Sequence, residues 1–194
     1  MLSFLHRCFV WLCRLPHRRG YGVHSPFAFN LIRDVIFETG EYYAYAPLRA
    51  KRHAHQRPER DLRLLFRLAN AHCSASAVVC VEDKHNDPTD VVAYLRAARP
   101  QMPFYEKADN FRHPSPTFYL FLSNSWPAYV RYHIDNMETD TLLVVAPITG
   151  KMAQAWQQLC QHSKTRVCFD LYDFGVVFFN PDHQAEVHKV NRAF

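Results

Sequence analysis

The chain has 194 residues, 48% of them hydrophobic and 14% aromatic, which is enough apolar material for a sizeable core and too much for a disordered segment. Its formal net charge of +5 is uneven: residues 1–60 hold ten Lys/Arg against four Asp/Glu, and residues 61–194 hold thirteen against fourteen. That distribution excludes a uniformly basic nucleic-acid-binding domain, and six cysteines with no C-x-x-C pair point to free thiols in a reducing, cytoplasmic compartment.

The opening "MLSFLHRCFVWLCRLPHRRG" places Leu5, Phe9 and Leu12 on one helical face. His6, Arg7 and Arg14 interrupt its apolar run, and no small-x-small cleavage site follows. It is too short and too charged to span a bilayer. The spacing predicts an amphipathic helix that docks on protein, with a membrane surface as the alternative partner. Next, Ser25 suits an N-cap and Pro26 the first helical position. Phe27, Leu31, Val35 and Ile36 form an apolar face that Gly40 ends. "EYYAYAPLRAKRHAHQRPERD" reads as a linker, first aromatic and then basic, into the helix "ERDLRLLFRLANAH". Residues 1–60 are thus a basic helical extension and linker, and 61–194 an α/β domain.

From there strand-like and helix-like segments alternate. "AVVCVE", "PFYEKADNF", "TFYLFL" and "TLLVVAP" are strand-like. "PTDVVAYLRAA", "WPAYVRYHIDNM" and "GKMAQAWQQLCQH" are helical. "TRVCFDLYDFGVVFFN" is a hairpin turning around Tyr172-Asp173. Continuous apolar strands separated by helices predict a mostly parallel sheet covered on both faces and closed by an antiparallel C-terminal hairpin.

Three stretches carry a resemblance. "GYGVHSPFAFNLIRDVIFE…YYAY", "LLFRLAN" and the hairpin are similar to segments of class I S-adenosylmethionine-dependent methyltransferase-like proteins with an N-terminal G-[IV]-H-S-P-F signature. The likeness covers about residues 15–70 and 140–180 and is poor between them. It implies a Rossmann-like methyltransferase sheet and, in active relatives, a glycine-rich cradle for the cofactor after the first strand. Glycine there lets the cofactor lie against bare main chain. This chain's glycines are Gly20, Gly22, Gly40, Gly150 and Gly175, with none between 41 and 149. The corresponding turn is Glu82-Asp83-Lys84-His85-Asn86-Asp87. Asn86 or Asp87 could take a left-handed turn at about 1–2 kcal/mol, but side chains would occupy the cofactor's space.

"VVCVED" matches either the family's first strand or its second. In the second case Glu82 is the acid expected to bind ribose hydroxyls, and in the first that role falls to Glu106. On either register one βα unit is deleted, because about ten residues between Glu106 and the next strand are too few for a crossover helix. Two further acidic motifs of the family are replaced, by "FLSNSW" and by Ala146-Pro147 with "ITGKMAQAW".

Other motifs carry less. His53-Ala54-His55, with His72 and Cys73, lacks the converging ligands of a metal site. Arg49, Lys51, Arg52, Arg57 and Arg60 read as a solvated basic run without interleaved aromatics, which disfavours nucleic acid. Ser123-Asn124-Ser125 reads as a helix N-cap, Tyr42, Tyr43 and Tyr45 as packing aromatics, and Asp170 and Asp173 as hairpin-shaping residues. The expectation is a degenerate, non-catalytic methyltransferase-like protein that binds or scaffolds, as a homo-oligomer or beside an active relative, with no catalytic residue, no metal and no cofactor. The alternatives are an active methyltransferase that holds S-adenosylmethionine through Glu82 or Glu106, and a basic-armed module for nucleic acid or membrane surface.

Overall fold

Apolar runs without polar alternation are strands buried on both faces, and the chain uses them in this way. A computed structural model describes residues 2–15, 22–52, 57–82, 88–106 and 117–192. Seven strands, β1 (Ala77–Glu82), β2 (Phe104–Glu106), β3 (Phe118–Ser123), β4 (Leu142–Ala146), β5 (Val167–Asp170), β6 (Gly175–Phe178) and β7 (Glu186–Lys189), form one sheet. Its order is β2-β1-β3-β4-β6-β5-β7. Only β6 runs antiparallel to its neighbours. The fold is the expected α/β class: a Rossmann-like, mostly parallel sheet with an antiparallel C-terminal hairpin and an N-terminal helix.

Pairing register sorts the side chains into two cores. Val79, Leu120, Val144, Val176 and Phe169 are consecutive cross-strand partners and face one side. Val78, Tyr119, Leu143, Val177 and Cys168 form the adjacent row and face the other. The first face is covered by α2 (Pro26–Leu31) and the π-helical turn Ile32–Ile36, then by α3 (Tyr45–Ala50), α4 (Glu59–His72) and α5 (Pro88–Ala98). The second carries α6 (Trp126–His133) and α7 (Ala153–Cys160).

The region before residue 60 shares this core. Ser25 caps α2 by accepting the Ala28 N–H, as its sequence predicts. The expected helix stops at Ile36 rather than Gly40. Buried Arg67 of α4 donates to the carbonyls of Val35 (2.6 Å) and Ile36 (3.1 Å), which satisfies acceptors left over at that end. The expected linker contains α3, because Tyr45 is fully buried against Tyr42, Phe66 and Tyr94. Tyr42 and Tyr45 are therefore packing aromatics, whereas Tyr43 is exposed. Burial of two rings outweighs the polar composition around them.

The hairpin does not close the sheet. Strand β7 adds beyond β5, in parallel, an edge strand that the sequence pattern does not predict. Glu186-Val187-His188-Lys189 alternates with charge, as edge strands do, and so resembles a polar tail in sequence.

This topology positions a site. From β1 the chain passes through α5 to β2 on one side, and from β3 through α6 to β4 on the other. The direction reverses between β1 and β3, and ligands of open α/β sheets bind outside the carboxyl ends of strands at such a point.

Candidate functional site

Above those carboxyl ends lies a cavity of about 340 Å³, within the range that takes a small ligand. Strand β3 supplies Leu122 and Ser123 and hands on to Asn124, and β4 ends at Ala146 with Pro147 beyond it. The approach to α4 contributes Arg57 and Pro58, and its first turn Arg60 and Asp61. Arg7 comes from α1 (Leu2–Cys13) and Asp173 from the β5–β6 turn. A more open recess of about 570 Å³ beside Met137, Lys164 and Arg166 lies at the amino-terminal edge, where this fold class does not build sites.

Helix α1 lies against the β5–β6 turn at the carboxyl edge, held by arginines. Arg7 makes a two-pronged pair with Asp173, at 3.0 and 2.6 Å, a geometry that keeps the guanidinium protonated above its ordinary range. Two helical turns on, Arg14 pairs with the Asp170 carboxylate at 2.9 Å and donates to the backbone carbonyls of Asp170 and Val190. Asn191 donates to the Trp11 carbonyl. Tyr172 takes φ 77°, a left-handed conformation costing a tyrosine about 1–2 kcal/mol. Its ring lies 4.9 and 5.8 Å from the guanidinium carbons of Arg7 and Arg14, and its N–H is accepted by Asp170. Asp170 and Asp173 thus shape the turn and also bind α1. Arg7→Ala is expected to cost about 1 kcal/mol, since the pair is partly exposed. Hydrogen exchange of the α1 amides should rise at least about fivefold while that of β3 and β4 stays unchanged.

The missing glycines predict that side chains fill the cofactor's space at the turn after β1. Over β3 and β4 the space is open, lined by charged side chains. Residues 83–87, where the cradle would lie, fall outside the described residues, as do the side chains of Glu82 and Glu106. Their backbones are placed. Glu82 ends β1 level with Ser123, which lines the cavity. Glu106 is level with Val79, three residues further back, or about 10 Å along the strand. The sheet brings Glu82 to the site's level and leaves Glu106 behind.

The "FLSNSW" segment packs as a turn: the Ser123 hydroxyl accepts the Ser125 N–H at 3.0 Å, and the Trp126 indole donates to the Pro147 carbonyl at 2.8 Å. Ser125 occupies the cap position of α6, yet its side chain makes no cap bond. These bonds join the β3 and β4 loops into one wall of the cavity.

Arg7, Arg57 and Arg60 were not legible as site residues. The usable signal was the seven-residue spacing of Arg7 and Arg14, which puts both on one helical face. The basic run is less open than its composition suggests. Arg49 pairs with Glu59 at 3.0 Å, Arg52 with Asp90 at 3.5 Å and Arg60 with Asp61 at 3.7 Å. Partial burial pushes the Glu59 carboxyl up, but hydrogen bonds from Arg49 and Arg63 outweigh it and hold it below its ordinary range.

His53 and His55 lie outside the described residues. His72 packs edge-on against Phe178, and Cys73 is a buried thiol that desolvation pushes up to about 11. Among the described residues no group of three metal-ligating side chains converges. The chain matches no family model and no curated protein.

Proposed function

We propose that this chain is a methyltransferase-like protein that has lost methyl transfer and works by binding, its carboxyl-edge cavity taking a small anionic molecule such as a carboxylate or phosphate ester. One observation carries this reading: the cavity lining holds Arg7, Arg57 and Arg60 against Asp61 and Asp173. Each acid is already engaged, Asp173 by Arg7 and Asp61 by Arg192 at 3.1 Å. A sulfonium cation placed there would meet an excess of like charge. At an effective dielectric of about 20, one unit charge 5 Å from another is worth about 3 kcal/mol, which favours an anion and disfavours S-adenosylmethionine. The missing glycines and the two replaced acidic motifs point the same way.

Calorimetry with S-adenosylmethionine, S-adenosylhomocysteine, citrate and adenosine monophosphate tests this. The expected result is measurable heat with citrate or the nucleotide, at least about tenfold weaker in Arg57→Ala with Arg60→Ala, and none with the two sulfur cofactors. Low-micromolar binding of S-adenosylmethionine sinks the reading. It would favour the second one, an active methyltransferase, whose support is Glu82 ending level with Ser123 at the cavity. The acids facing Arg49, Arg52 and Arg60 weigh against a nucleic-acid-binding arm.

A further inference from the structure

An amphipathic helix on a globular protein normally buries its apolar stripe and leaves its charges in water. Helix α1 does the reverse. Its arginine face is turned to the protein through Arg7 and Arg14. Leu5, Phe9 and Leu12 are 62%, 64% and 57% exposed, and they stand at i, i+4 and i+7, a single outward stripe. Leu15 extends it, also exposed. Among the described residues the other large exposed apolar side chains, Tyr43, Tyr132 and Val187, stand singly along the chain, whereas this stripe is continuous, the feature that marks an interaction surface.

We propose that the outer face of α1 docks on an anionic lipid bilayer, lying in its plane. Charge argues for lipid. Arg7 and Arg14 are paired with Asp173 and Asp170, and Arg33 with Asp34, but Arg18 and Arg19 follow α1 directly in a stretch, residues 1–33, that has no Asp or Glu, and anionic headgroups attract a basic pair beside an apolar stripe. Size argues against a second copy of the chain. A stable dimer buries about 1,200–2,000 Å², whereas three exposed side chains on a helix of 12 residues supply much less. A bilayer needs only shallow insertion of those side chains with electrostatic attraction beside them. Among the described residues no helix is long and apolar enough to cross a membrane, so contact is along the surface. The bilayer would then lie against the sheet edge that α1 covers. The inference stands apart from the nature of the cavity's ligand.

Flotation with unilamellar vesicles tests it. The full chain should bind vesicles containing about 30% phosphatidylglycerol in phosphatidylcholine at least about tenfold better than pure phosphatidylcholine, and salt at about 0.5 M should remove most of that preference. The triple variant Leu5→Ser, Phe9→Ser, Leu12→Ser should lose at least about tenfold in partitioning with an unchanged unfolding midpoint, since the three side chains are exposed. Should that variant misfold, Phe9→Trp serves instead: its added emission should shift to the blue on the anionic vesicles alone. Undiminished binding by a folded triple variant, no binding of the wild type to anionic vesicles, or an unshifted Phe9→Trp emission would each overturn the proposal. So would a concentration-dependent wild-type dimer that the triple variant abolishes, which assigns the stripe to a second copy.

Discussion

Replacing Asp61 by Asn is expected to lower the unfolding free energy by about 3–5 kcal/mol. Asp61 and Arg192 are both nearly inaccessible, at 6% and 10% of their side-chain surface, and their charged atoms are 3.1 Å apart. Burial pushes the Arg192 guanidinium below its ordinary range, against the pull of Asp61. With the carboxylate charge gone, Arg192 faces a neutral amide oxygen in its place, beside its bond to the Arg60 carbonyl and the Phe174 ring. A buried, uncompensated charge costs far more than an exposed pair gives back. Small domains have about 5–15 kcal/mol in hand, so this single change approaches the whole margin. Urea unfolding of Asp61→Asn measures the loss, and Asp61→Leu, Arg192→Met and the two together complete a cycle. The double variant should recover at least about half of the loss. If Asp61→Asn costs less than about 1 kcal/mol, the pair is not buried in solution as described. The same pair ties the start of α4, where Arg57 and Arg60 stand, to the C-terminal segment beyond β7.

Gly175→Ala is expected to cost about 2–3 kcal/mol, a purely steric effect. Gly175 begins β6, paired with Val145 on one side and Asp170 on the other. A Cβ there would lie 2.4–2.8 Å from three atoms of the Trp156 ring, well inside contact distance. Trp156 is itself buried in the second core, and interiors packed to crystal density cannot yield by a full ångström. Trp156→Leu opens that space, so Gly175→Ala should be better tolerated in its background, with a coupling above about 1 kcal/mol. Equal midpoints for Gly175→Ala and wild type would show that the ring moves aside freely.

These two residues mark where sequence reasoning succeeds and where it stops. Gly175 reads in sequence as a hairpin glycine. Its requirement comes from a tryptophan nineteen positions earlier, on a helix that crosses back over the sheet. Asp61 reads as a helix first-turn acid. Its partner lies beyond the last strand, at a separation of 131 residues. Strand β7 gives no strand signal because a charged edge strand has the composition of a tail, and α3 gives no helix signal because one buried tyrosine among polar neighbours is not periodic. The arginine cavity was invisible for a related reason: its lining comes from α1, α4, β3, β4 and a turn, which only the topology brings together.

What the sequence determined by itself was the set of strands and helices and their two-sided burial, because hydrophobic periodicity and chain punctuation are local properties. It also determined that no glycine is present to let a cofactor lie against bare main chain between residues 41 and 149. Tertiary structure alone decided which face of α1 turns inward. An amphipathic helix on a globular protein normally buries its leucines, but here Asp170, Asp173 and Tyr172 offer the arginines paired charges and a ring. Those contacts, made across more than 150 residues, leave the apolar stripe facing out.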